Sequence, residues 1–196
     1  MKQEDALLHL RSKAEESSKL HIQVVEQLGP TILQTVNLMS GVIGSGGKIL
    51  VAGNGGSASM ASHLAAEMIV RLSSERNRQS LPCIALAADL SIITAAANDF
   101  GYENVFARQV EGLGNKGDML MVMTTSGNSE NLVRAVTIAK QKNMLVTGLL
   151  GGDGGKLAPM IEQPIIIPHR STQRIQEEHL FIVHQLVELV ERDLFA

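Results

Sequence analysis

Four hydroxyl side chains fall within six residues at Thr124, Thr125, Ser126 and Ser129, in the run Thr124-Thr125-Ser126-Gly127-Asn128-Ser129. The run follows a short apolar stretch and opens a helical one. Its hydroxyls therefore gather where a helix start leaves backbone N–H groups without acceptors. That is the chemistry of a phosphate cradle made without lysine. Ser129 alone could be a helix cap, but four hydroxyls together exceed what capping needs. A second loop, Gly53-Asn54-Gly55-Gly56-Ser57-Ala58, stands in the same relation to an earlier apolar stretch, and its glycines let a ligand approach the backbone. A tight turn without ligand is the plainer reading of this loop. It also fits the dinucleotide pattern G-x-G-x-x-A, with Asp89 placed where a ribose-binding acid could stand. A dinucleotide site would not need the hydroxyl-rich loop. The glycine-rich run Gly151-Gly152-Asp153-Gly154-Gly155-Lys156 is not a Walker A loop, because Leu150 and Leu157 replace its first glycine and its magnesium-binding hydroxyl.

Two helical segments carry the remaining polar chemistry. His63 and Glu67 are four residues apart and share a helix face, an arrangement suited to metal ligation or to acid–base work. The last segment holds Gln176, Glu177, Glu178, His179 and His184. His184 stands among Phe181, Ile182, Val183, Leu186 and Val187, where an imidazole needs a reason. By spacing, Gln176 aligns better with His179 than with His184, which lies about 80° away around a helix.

The elements that must position these groups follow from the apolar pattern. Strand-length runs occur at 48–52, 83–86, 119–123, 144–149 and 165–167, with helical segments at 57–72, 91–98, 129–142 and 155–161 between most of them, and a long amphipathic helix at 171–194. Runs that are apolar throughout suit strands covered on both faces. Strand–helix alternation predicts a three-layer α/β/α sandwich on a five-stranded parallel sheet. Ligands then bind beyond the carboxyl ends of the strands, where the two loops fall. Residues 5–28 and 31–43 read as two helices separated by Gly29-Pro30, so 1–44 is expected to form a helical hairpin and 45–196 the α/β core, all within one domain, 1–196. These terminal helices carry more apolar surface than short strands can cover, which points to subunit contacts.

Composition limits the alternatives. The 196 residues are 44% hydrophobic and 19% charged with 18 glycines, which excludes disordered, collagen-like and coiled-coil classes. The one cysteine, Cys83, excludes a disulfide framework within the chain and fits a reducing cytoplasm. A net charge of −3 with no basic stripe, and no tryptophan, make a nucleic-acid partner unexpected. There is neither a signal-peptide pattern nor an apolar run of ~18 residues, so no membrane partner is expected.

Taken together, Ala52–Glu67, Asn98-Asp99, Thr125–Ser129, Asp153–Lys156 and Arg174–His184 resemble the sugar isomerase (SIS) family over nearly the whole chain, and within it the enzymes acting on sedoheptulose 7-phosphate. The resemblance implies the SIS fold and a cytoplasmic homotetramer with one Zn2+ per subunit. The implied reaction makes D-glycero-D-manno-heptose 7-phosphate through an enediol, the first step toward the activated heptose of lipopolysaccharide or other surface glycans. It implies His63, Glu67, Gln176 and His184 as zinc ligands, with Glu67 as catalytic base and His184 as its acid–base partner. Implied substrate contacts are Asn54, Gly55, Gly56, Glu67, Asn98, Asp99, Thr124, Thr125, Ser126, Ser129 and Gln176. Thr124 replaces the serine of many members and keeps the hydroxyl. Gln173 replaces an acid found in some, whose catalytic help is absent here. The alternative is a non-catalytic SIS regulator that binds a sugar phosphate or the bacterial replication initiator. That relative lacks the pair matching Glu67 and His184.

Overall fold

A computed structural model describes residues 3–195. Five strands, β1 (Ile49–Gly53), β2 (Cys83–Ala85), β3 (Met119–Thr124), β4 (Leu145–Gly151) and β5 (Gln163–Ile167), form one sheet in the order β2-β1-β3-β4-β5. Every pairing is parallel. Strands β1 and β3 are buried along their whole length, as continuous apolar runs between two helical layers should be. Alternate residues serve opposite faces. Ile49, Val51, Met119, Met121 and Met123 join one apolar cluster, while Leu50, Ala52, Leu120 and Val122 join the other.

The first cluster is closed by α1 (Gln3–Gly44), α2 (Gly56–Ile69) and α6 (Thr172–Phe195). The second is closed by α3 (Leu90–Phe100), α4 (Val105–Leu113) and α5 (Glu130–Gln141). The three-layer parallel architecture is therefore as expected. The hairpin is not: α1 runs unbroken through Gly29 and Pro30. Leu20, Val24, Ile32, Val36 and Met39 are all buried in the first cluster, and they form one stripe only if the helix continues. An interior proline costs ~3 kcal/mol, and burial of five such side chains, each worth roughly 1.5–3 kcal/mol, outweighs it.

Two other spans differ from the sequence expectation. Instead of a helix over 155–161 there is a short 3-10 turn at Ala158–Met160, because Gly152, Gly154 and Gly155 all take positive φ and hold the chain in loop geometry. Helix α4 went unread, although Val105, Phe106 and Val110 give it an apolar face and are fully buried. Helix α6 also corrects the surface argument. Val183, Leu186, Val187 and Val190 are sealed inside the protomer, so of the two terminal helices α1 carries most of the exposed apolar residues, at Leu7, Leu8, Leu10, Ile22, Val25 and Leu33, against Leu180 on α6. No helix among the described residues is long and apolar enough to cross a membrane.

Candidate active site

Helices α2 and α6 lie side by side and point the same way. Gly56 at the start of α2 sits against the Gln176 amide near the start of α6, and the Leu72 N–H just beyond α2 reaches Glu191 near the end of α6 (3.3 Å). Between these contacts, His63 and Glu67 from α2 meet His184 from α6. The His63 and His184 Nε2 atoms face each other at 3.0 Å. Glu67 Oε1 is 3.0 Å from the first and 3.5 Å from the second.

These atoms suit a metal ion. Ligands held tetrahedrally at 2.0–2.1 Å stand about 3.3 Å apart, and the separations of 3.0, 3.0 and 3.5 Å bracket that value. Two imidazole nitrogens and a carboxylate oxygen form a donor set that zinc accepts, with a position left for substrate. The other Glu67 oxygen, Oε2, is buried without a hydrogen-bond partner, which is costly in a site meant to stay empty. Both imidazoles are substantially exposed, and the carboxylate sits deeper.

The anion loops are built differently, from backbone conformation. Gly55 begins α2 with φ 55° and ψ −123°, a region closed to other residues. Asn54 is locked by its amide, which exchanges hydrogen bonds with that of buried Asn131 (3.0 and 2.9 Å) and accepts one from the Tyr102 hydroxyl (2.9 Å). In the second loop Thr124 Oγ1 is 3.5 Å from Ser126 Oγ. Ser129 stands at the N-cap of α5, yet its side chain makes no cap bond, so capping does not account for its hydroxyl. Gly127, at φ 65°, lies so close to Gly154 that an added Cβ would come within 1.9 Å of the Gly154 carbonyl oxygen. The Leu157 N–H donates to Gly127 O (3.0 Å) and the Lys156 N–H to Asn128 Oδ1 (3.1 Å). The 151–156 run thus clasps the hydroxyl loop. Thr125 and Ser126 open onto a cleft of about 720 Å3 whose lining includes Asp153, His169, Arg170 and Thr172.

Several expectations divide here. His63, Glu67 and His184 come together, and Gln176 lies against Gly56 of the loop that also holds Asn54 and Gly55. Asn98 and Asp99 sit exposed on the last turn of α3, bonded to each other (2.8 Å). Among the described residues they make no hydrogen bond to either loop. His179, the better partner by spacing, is fully buried and donates from Nε2 to Leu150 O (3.1 Å). Burial lowers its pKa to about 4, so the ring is a neutral packing group away from the trio. Asp89 caps α3, its Oδ1 accepting from the Ser91 and Ile92 N–H groups (2.8 and 3.0 Å), which gives this carboxylate a structural role. Asn131 and Tyr102 carried no sequence signal of their own, although they stand two residues beyond Ser129 and three beyond Asp99. The His169-Arg170-Ser171 stretch precedes the Arg174–His184 motif and resembles that of the non-catalytic relative, which gave it no role in a site. The 720 Å3 cleft does not include His63, Glu67 or His184 in its lining.

Known proteins share this sequence pattern and fold. Residues 14–151 match the SIS domain family. A phosphoheptose isomerase of Geotalea daltonii is 42% identical over 187 residues, covering 95% of this chain and 96% of that one. One from Helicobacter pylori is 47% identical over 168 residues, 86% of each chain. The structure of a phosphoheptose isomerase from Francisella tularensis superimposes with a TM-score of 0.91 at 38% identity, covering 95% of this chain and 98% of that one.

Proposed function

The chain belongs to the SIS domain family and, within it, to the phosphoheptose isomerases, which are aldose–ketose isomerases; from that premise we propose that it converts sedoheptulose 7-phosphate to D-glycero-D-manno-heptose 7-phosphate with zinc held by His63, Glu67 and His184. The observation that carries the proposal is the trio itself: three ligand atoms from two helices, all within 4.8 Å of one another. Gln176 supplies a fourth zinc ligand or a substrate contact. Its amide lies against Gly56, at the first anion loop.

The reaction moves a proton from C1 to C2 and a second between the attached oxygens. Glu67 takes the C1 proton and returns it at C2, while His184 exchanges the oxygen proton through Nδ1, the ring nitrogen that ligation at Nε2 would leave free. Zinc, when bound, polarises the carbonyl and hydroxyl oxygens and stabilises their negative charge. The hydroxyls of Thr124, Thr125, Ser126 and Ser129, with the backbone of Asn54, Gly55 and Gly56, bind the phosphate and orient the chain. His63 lies seven residues beyond Gly56, about 10 Å along the helix. An extended seven-carbon phosphate spans a similar distance. The family resemblance adds Asn98 and Asp99 to the sugar contacts, although among the described residues they are bonded to each other and not to the loops.

A homotetramer is part of the proposal. The exposed leucines, isoleucine and valine along α1 supply the apolar surface for it. The separation of the cleft from the trio fits a site whose remaining wall comes from another copy. The enzyme would act in the cytoplasm, at the first step toward a surface-glycan heptose. The deciding experiment is turnover of sedoheptulose 7-phosphate by purified protein, alongside metal analysis and light scattering. Turnover with one zinc per chain in a tetramer is expected. Turnover that survives complete zinc removal would overturn the zinc assignment, and a fully active monomer would overturn the shared site.

A further inference from the structure

We infer that Arg78 is a positioning residue for the trio: it sets the spacing and stagger of α2 against α6 so that His63, Glu67 and His184 meet. Where this concerns metal affinity, it rests on the zinc reading above.

The guanidinium of Arg78 is 1% exposed, and its carboxylate partner Glu191 is 5% exposed. One planar head makes four bonds. Nε donates to Glu191 Oε1 (2.8 Å) on α6, Nη2 to Glu67 O (2.7 Å), and Nη1 to Met68 O (2.7 Å) and Gln79 O (3.0 Å). Glu67 O and Met68 O belong to the last turn of α2, where carbonyls lack helical partners and a cation is favoured by the helix dipole. The residue whose carboxylate faces both imidazoles is thus also held by its own carbonyl. On α6 the anchor is Glu191, seven residues or two helical turns beyond His184. Arg78 therefore joins the two ligand-bearing helices, at the backbone of the ligand residue Glu67 on one and two turns beyond His184 on the other. Separations near 3 Å cannot survive a slip of an ångström between the helices.

This role differs from that of neighbouring Arg76. Arg76 donates to Glu191 O and Phe195 O (3.1 Å each). Those bonds fasten the end of α6 and do not touch α2. Lysine at position 78 would keep a charge opposite Glu191 but could not serve Glu191, Glu67 and Met68 from one planar fork.

Two measurements test the inference on Arg78→Lys and Arg76→Ala, each first shown to be folded by circular dichroism. The first is zinc affinity of the metal-free protein, by competition with a chelating indicator. Arg78→Lys is expected to bind zinc roughly 10- to 100-fold more weakly, the usual cost of losing a group that orients a ligand, and Arg76→Ala as tightly as the parent. The second needs no metal: the proton–proton contact between the His63 and His184 rings, whose centroids stand 5.2 Å apart, read by NMR in the metal-free protein. It should vanish in Arg78→Lys and persist in Arg76→Ala. Should Arg78→Lys not fold, Glu191→Gln replaces it, with the same changes expected at smaller size. A folded Arg78→Lys that keeps the ring contact overturns the inference, as does an Arg76→Ala that loses it equally. If the parent protein binds no zinc at these residues, the zinc reading fails, and the ring contact still decides the role of Arg78.

Discussion

The trio and the hydroxyl loop are two ways of building a site. The loop is local: its hydroxyls lie within six consecutive residues, and its shape comes from Gly127, pressed against Gly154. The trio is long-range: His63 and His184 are 121 residues apart and meet only because α2 packs along α6. A site of the first kind depends on backbone conformation and tolerates the loss of one donor. A site of the second kind depends on the register of two helices, and each of its side chains has a separate chemical duty. The two should therefore respond differently to single substitutions.

The largest effects should come from the trio. Glu67→Gln and His184→Ala are each expected to lower turnover by ~10²–10⁴-fold, the range for removal of a positioned acid or base, with the thermal transition little changed. Near-parental turnover in either would erase the distinction drawn between the two regions.

The next effect sharpens the comparison within α6 itself, where His179 and His184 are the same residue type in opposite roles. Burial depresses the His179 pKa from 6.5 to about 4, so between those values the unfolded chain binds a proton that the folded one refuses. This contribution is fully present above pH 6.5 and is lost as pH falls toward 4. Its size is on the order of 3 kcal/mol at most. Glu178 beside it, whose pKa is raised by burial, acts with the opposite sign. The quantity to measure is therefore the difference between the parent and His179→Gln. Denaturant unfolding from pH 7 to pH 4 should show a shallower acid loss in the variant. Equal slopes would mean that the ring is not held neutral.

Smaller again is Ser126→Ala. One hydrogen bond to a charged group is worth roughly 1.5–3 kcal/mol, or about 10- to 150-fold in affinity. The change should appear in substrate binding measured by calorimetry and leave zinc content alone. Unaltered affinity would remove the loop from the phosphate.

What could be read from the sequence follows the same division. The loops and the parallel sheet were legible because their signals are contiguous: apolar runs ending in glycine and hydroxyl clusters. The pairing of His63 with Glu67 was legible from helical spacing. The choice of His184 over His179 was not, since spacing on one helix says nothing about which face the neighbouring helix covers. The continuity of α1 was hidden for a related reason. Pro30 is a local stop signal, and only the burial of Leu20, Val24, Ile32 and Val36 together shows what overrides it. Local signals failed wherever tertiary packing had the larger free energy.

The smallest expected effect is also the cleanest control on the ligand set. Cys83 is the one thiol in the chain, and thiolates are strong zinc ligands, so metal bound anywhere but the trio would turn first to it. Its position argues against that. It begins β2, is 3% exposed among the residues of the first apolar cluster, and burial pushes its pKa up to about 12, so the thiolate a metal requires is strongly disfavoured. Cys83→Ser should therefore leave zinc per chain unchanged, at the expense of some stability, because a hydroxyl replaces a sulfur in an apolar site. His63→Ala, measured beside it, should lose most of the metal. A zinc content that fell with Cys83 and survived the loss of His63 would place the metal on the strand instead of the helices, and the contrast between the two regions would no longer hold.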